Sequence, residues 1–180
     1  MTTATPTIPS TEQSQDTDFV LTHEVDAPRD LVFRVWTDRE HLLQWFGPKG
    51  CPLASATSDV RPGGMMHYAM RLPDGGLMWG KWAYREIAAP ERLVFAASFS
   101  DEAGGVTRAP FSAGWPLEML STVTFDEIDA RRTRITLRAS AHNATELERE
   151  TFDAAHDSLR QGWGGTFSQL DEYLAQISAK

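Results

Sequence analysis

Residues 145–174 read TELERETFDAAHDSLRQGWGGTFSQLDEYL. Thr145 followed three residues later by Glu148 is a capping-box pattern, in which the threonine oxygen and the glutamate carboxylate each take a free N–H of the first helical turn. Phe152, Ala155, Leu159, Trp163, Phe167, Leu170 and Leu174 then recur at spacings of three and four. That spacing lays one apolar stripe along an amphipathic helix of roughly 30 residues. Gly162, Gly164 and Gly165 interrupt the run, each costing about 1 kcal/mol relative to alanine. Glycine at such a cost predicts a close backbone approach or a bend there. A stripe this long has to be buried, so the rest of the chain must supply a matching surface.

The segments upstream supply one. Phe19, Leu21, His23 and Val25 alternate with Val20, Thr22 and Glu24, the period of a strand. Pro28, placed as in a first helical turn, precedes Leu31, Val32, Val35 and Trp36 at helical spacing. Thr37 and Glu40 form a second capping-box pattern, so a second short helix is predicted to run to about Trp45, ended by Gly47-Pro48. Strand-like runs follow at Ser55–Val60 and around Met66, Tyr68, Met70 and Leu72, the latter closed by Pro73-Asp74-Gly75-Gly76. Met78, Gly80, Trp82 and Tyr84 share one face of the next run, and Leu93, Phe95, Ala97 and Phe99 one face of another. Residues 101–116 read as a long Gly- and Pro-containing loop, and strands near 117–127 and 132–140 complete the set. The order predicts an α+β fold: two short helices after strand 1, then a curved antiparallel sheet of about six to seven strands gripping the long C-terminal helix.

Several local motifs then fall into register. Trp45-Phe46-Gly47-Pro48, Asp59-Val60-Arg61-Pro62-Gly63-Gly64, Pro73-Asp74-Gly75, the run Glu86 to Phe95 (EIAAPERLVF) and Gly162-Trp163 stand in the order of one branch of the START-like, or SRPBCC, superfamily. The chain resembles that branch, named after the C-terminal domain of the activator of the heat-shock-protein-90 ATPase, over residues 18–177. The resemblance implies a helix-grip fold, like that of the birch-pollen allergens, with a cavity between sheet and long helix. It implies function only broadly, because this scaffold carries lipid carriers, polyketide cyclases, resistance proteins and co-chaperones.

On the inward faces the sequence concentrates adaptable and aromatic side chains: Met66, Tyr68, Met70, Met78, Trp82, Tyr84, Phe95, Phe99, Met119, Leu159 and Trp163. With His156 at the edge of the helical stripe, these are the expected ligand-binding residues, suited to a small apolar or aromatic molecule. For catalysis the inventory is thin. There is no Gly-x-Ser-x-Gly, no His-Glu-x-x-His and no phosphate-binding Gly-x-x-x-x-Gly-Lys-Ser/Thr. His156 is the single weak catalytic candidate; acid–base work would require Tyr68, Tyr84, Ser121 and His156 to converge. His23, His41, His67, His142 and His156 lack metal-ligand spacing, and Cys51 stands alone, so neither a metal nor a cofactor is expected. The WFGP and RPGG segments are expected to shape loops at the cavity mouth. His67, on the outward face, is expected to be solvated.

Composition narrows the remainder. The 180 residues carry a formal charge of −8, with basic residues scattered, which argues against nucleic-acid binding through phosphates. No apolar run reaches the ~18 residues that would span a bilayer, and no secretory signal is legible, so no membrane association and a cytoplasmic location are expected. Without a signal peptide, the acceptor pattern Asn143-Ala144-Thr145 is not expected to be glycosylated. Residues 1–17, rich in Thr, Ser, Pro and Gln, read as a flexible tail before a single domain at 18–177. The leading expectation is therefore a small-molecule-binding protein. A cyclase or dehydratase working in the same cavity is the alternative, and a stress-related co-chaperone or interaction module is the third class. A homodimer is left open.

Overall fold

The computed structural model describes residues 18–179; the expected flexible tail at 1–17 lies outside the described residues. Strand β1 (Phe19–Val25) leads into helices α1 (Arg29–Thr37) and α2 (Arg39–Trp45). Strands β2 (Leu53–Ser58), β3 (Met65–Arg71), β4 (Leu77–Ala88) and β5 (Arg92–Ser100) follow, then the two-residue β6 (Val106–Thr107), β7 (Glu118–Asp129) and β8 (Arg132–His142). Helices α3 (Glu146–Ala154) and α4 (His156–Ser178) close the chain. All pairings are antiparallel in the order β1-β8-β7-β5-β4-β3-β2, with β6 added beside β5 inside the segment expected to be loop. Bulges at Tyr84/Glu86 in β4 and Glu127/Asp129 in β7 shift the register and locally bend those strands. The α+β helix-grip architecture is the one the sequence expects.

The terminal helix differs from its expected form in one respect. Its capping box is made: Thr145 Oγ1 accepts from Glu148 N–H at 3.2 Å, and Glu148 Oε2 accepts from Thr145 N–H at 3.0 Å. The interruption, however, falls at Ala155, which ends α3 and precedes α4, and α4 then runs unbroken through all three glycines. A Cβ at Gly162 or Gly164 would meet nothing within 4 Å, and one at Gly165 would make only ordinary contact with Lys49. Neither the bend nor the close approach is found at these positions. The second capping box also fails. Thr37 is the last residue of α1, and its hydroxyl donates back to the Phe33 carbonyl at 3.0 Å, leaving Asp38 as the N-cap of α2 with no side-chain cap bond.

The core centres on Trp36, which is fully buried. Its ring lies 5.0 Å from Trp45, 6.1 Å from Trp82, 5.8 Å from Phe125 and 6.0 Å from Trp163, so α1, α2, sheet and α4 meet at one side chain. Burying an aromatic of ~150–250 Å² stabilises by about 4–6 kcal/mol at the usual area coefficient. Around this centre the histidines act as struts. His23 stacks on Phe167 at 4.8 Å and meets Asp171 Oδ1 at 2.9 Å, joining β1 to α4. His41 Nδ1 lies 2.6 Å from the Tyr173 hydroxyl, joining α2 to α4. His67 is half-buried rather than solvated: it stacks on Trp79 at 4.9 Å, with Nε2 3.1 Å from Ser100 Oγ.

Candidate functional site

A cavity of about 560 Å³ lies between the inner face of the sheet and the helices α3 and α4. Four strands of the sheet make its floor. Tyr68 and Met70 come from β3, Trp82 from β4, Ala97 and Phe99 from β5, and Met119 from β7. Period-two alternation turns these side chains inward together: Trp82 pairs with Ala97, and Ala97 with Met119, across neighbouring strands. Thr151 of α3 and Ala155, Ser158, Leu159, Gly162, Trp163 and Thr166 form the roof. Phe46, Gly47 and Pro48 close one side, and Phe111, Ser112 and Trp115 of the β6–β7 loop close the other. Phe111 is 64% exposed and stands at the rim, its ring 5.5 Å from Phe99 and 5.6 Å from Trp115.

Both side walls are anchored. Gly47 has φ +119°, and a Cβ there would come within 2.6 Å of the Cys51 carbonyl oxygen, so the turn needs glycine. Its own carbonyl accepts from the Gln169 amide of α4. On the opposite side Arg108 donates to Glu148 and, at 3.3 Å, to the Trp115 carbonyl, pinning the loop to α3. The Arg108 hydrogen bond, followed by that of the Thr145 N–H, holds the Glu148 carboxyl below the ordinary carboxylate range.

No charged side chain lines the cavity, and its polar groups are few. The Thr151 hydroxyl donates to the Leu147 carbonyl at 2.7 Å and that of Thr166 to the Gly162 carbonyl at 3.1 Å, so both are engaged within their own helices. Tyr68 is different. It packs edge-on against Phe46 at 5.3 Å, and its hydroxyl has no hydrogen-bond partner among the described residues. Burial without a compensating bond pushes its pKa far above the ordinary phenol value.

Of the expected ligand-binding residues, Tyr68, Met70, Trp82, Phe99, Met119, Leu159 and Trp163 line this cavity, while Met66, Met78, Tyr84, Phe95 and His156 do not. Met66 is fully buried elsewhere in the core, and Met78 packs half-buried beside Met70. Phe95 stacks on Trp82 at 4.3 Å from behind, with Tyr84 edge-on to it at 6.3 Å. Burial pushes the Tyr84 hydroxyl up to about 12. The His156 ring sits between Phe19 at 5.6 Å and Phe152 at 5.2 Å, where its Nε2 is buried without a hydrogen bond. Tyr68, Tyr84, Ser121 and His156 therefore do not converge: only Tyr68 reaches the cavity. The RPGG segment is likewise remote from the mouth. It forms the β2–β3 turn, where Gly63 N–H donates to the Tyr84 carbonyl at 2.9 Å. Missed altogether were Phe111 and Trp115, two aromatics in a loop of Gly and Pro, where aromatic side chains have no strand or helix period to announce them.

A second cavity, of about 530 Å³, is lined by Arg29, Ala88, Glu91, Arg92, Thr124, Phe125 and Asp126. Its charges are of both signs and partly paired, Arg29 Nη1 lying 3.7 Å from Glu91 and Arg92 bonding Glu86. The apolar cavity is the candidate site. No helix of the described residues is long and apolar enough to cross a membrane.

Comparison with known proteins agrees with this architecture. A protein from Nitrosomonas europaea has a crystal structure that superposes with a TM-score of 0.71 at 25% identity, covering 93% of this chain and all of its own. A solution structure from Arthrobacter aurescens gives 0.74 at 28% identity, covering 94% of this chain and 93% of that one. A crystal structure from Mycobacterium smegmatis gives 0.69 at 25% identity, covering 87% and 90%. No curated protein matches the sequence. The model of the activator of Hsp90 ATPase homolog 1-like proteins matches residues 26–175, nearly all of the strands and helices that build the cavity, and the chain belongs to that family.

Proposed function

We propose that the protein binds a small apolar or aromatic molecule in the cavity between the sheet and α4. The observation that carries this reading is a 560 Å³ space walled by aromatic and methionine side chains with no charge among them. That volume falls within the ~300–1,000 Å³ typical of sites for drug-sized ligands, whereas a packed core leaves few voids larger than water. The neutral fluorophore N-phenyl-1-naphthylamine tests it. Its emission should rise saturably with one equivalent of protein, and Gly162→Leu, which sends a side chain into open space on the roof, should abolish the rise while the fold persists. No saturable rise with the unmodified protein would overturn the reading.

A further inference from the structure

The wall of the cavity is nearly uniform, and Tyr68 breaks the uniformity. Its phenol is the one hydroxyl of the sheet floor, and no described residue accepts its proton. The hydroxyl is held in place by the sheet itself: a Cβ on Gly80, the cross-strand partner of Tyr68, would come within 2.5 Å of it. Any larger residue at position 80 would displace the ring, so Gly80 makes room for a phenol lying flat on β4. The roof hydroxyls of Thr151 and Thr166 are engaged with helix carbonyls, and Ser158 is exposed on α4. A molecule filling the cavity would thus meet aromatic surface on most sides, the unpartnered indole N–H of Trp115 in the loop wall, and a single hydroxyl at the floor.

A phenol is a strong donor and a weak acceptor, and burial keeps this one protonated across the accessible pH range. A ligand that fills the cavity takes water away from this hydroxyl, which is costly in apolar surroundings unless the ligand itself brings an acceptor. An anionic ligand is disfavoured on the same floor, since an ionised carboxylate would be desolvated with no cation in the wall to offset it. We propose that the cavity selects neutral aromatic molecules bearing one buried hydrogen-bond acceptor, a ketone or ester carbonyl, and that the Tyr68 hydroxyl is the specificity-determining donor. The proposal rests on the cavity being a binding site.

Three probes of one shape test it by titration calorimetry at pH 8: 2-acetonaphthone, which offers a carbonyl; 2-ethylnaphthalene, which offers none; and 2-naphthoate, which is an anion. Tyr68→Phe keeps the ring and removes only the hydroxyl. It should weaken 2-acetonaphthone about fivefold to tenfold, the worth of one net hydrogen bond, and leave 2-ethylnaphthalene unchanged, which also verifies that the variant is folded. In the unmodified protein 2-naphthoate should bind at least about 100-fold more weakly than the ketone. An equal effect of Tyr68→Phe on ketone and hydrocarbon, or none on either, would overturn the role of Tyr68 and leave the binding cavity standing. Naphthoate binding as tightly as the ketone would overturn the selection for neutral ligands. If neither ketone nor hydrocarbon binds the unmodified protein, the binding reading itself falls.

Discussion

The inner face of the sheet has two halves built from the same strands and the same kinds of residue, and only one of them is filled. Along β5, Leu93 and Phe95 are buried in the core, whereas Ala97 and Phe99, two and four residues beyond Phe95 on the same face, line the cavity. Along β7 the sequence runs the other way, with Val123 and Phe125 buried and Met119 on the cavity. The difference lies outside the sheet. Over the filled half, α1 inserts Phe33 and Trp36 against Phe125 at 5.6 and 5.8 Å, and α2 adds Trp45. Over the other half α3 and α4 stand off from the sheet as a roof, and Phe111 and Trp115 reach in from a loop at the side. A hydrophobic face becomes a core where a helix inserts side chains against it and a site where the covering helices stand away from it.

The sharpest way to break this comparison is to truncate one large side chain in each half. Trp36→Ala removes the ring on which four elements converge and should cost ~3–5 kcal/mol. Met119→Ala removes atoms that already face open space, so little packing is lost and the cost should stay under ~1.5 kcal/mol, below the ~2–5 kcal/mol of a packed methionine. Urea denaturation with equal m-values measures both. Equal costs would mean that the two halves are packed alike.

That contrast also explains what was legible in the sequence. Strand and helix periods report which face is inward, and the seven expected residues that do line the cavity were found that way. The same periods are silent on which inward residues a second layer covers, so Met66, Tyr84 and Phe95 looked no different from Tyr68 and Phe99. The capping boxes teach the parallel lesson. Thr145 and Glu148 make theirs because the chain before them is extended, with Thr145 at φ −70° and ψ 166°. Thr37 carries the same motif but is still inside α1, which tertiary packing of Trp36 extends to that residue. His156 was misread for a related reason: its place on the helical stripe was right, but the stripe meets Phe19 at that turn and not the cavity.

A second, smaller effect should appear at the open half, where an ion pair holds the covering loop down. Arg108 ties the β6–β7 loop to Glu148, whose carboxyl titrates below its ordinary value of 4.5. A carboxyl with a lowered folded pKa contributes stability that is present above the ordinary value and is lost as the pH falls through the folded one. The stability difference between the unmodified protein and Glu148→Gln should therefore be largest near pH 6 and shrink steadily toward pH 3. A difference independent of pH would show that the glutamate acts by shape and not by charge.

The smallest effect is the one that separates the halves most cleanly. In the filled half the two carbons that valine adds to alanine have nowhere to go, and overpacking costs ~1–3 kcal/mol, so Ala56→Val or Ala27→Val should destabilise. Gly162 is the counterpart in the open half: it lies inside α4, its φ is not left-handed, and a Cβ would meet nothing within 4 Å. Gly162→Ala should then gain the helix propensity that glycine forfeits, about 1 kcal/mol, seen as a rise in Tm of roughly 2–4 °C. Glycine at this point serves no backbone requirement visible in the helix, and what it does provide is space on the cavity roof. The same substitution should accordingly weaken binding of the bulkiest aromatic probes while tolerating slender ones. A Tm that falls on Gly162→Ala would mean that the roof is already in contact with the floor at this turn, and the open half would have to be redrawn as part of the core.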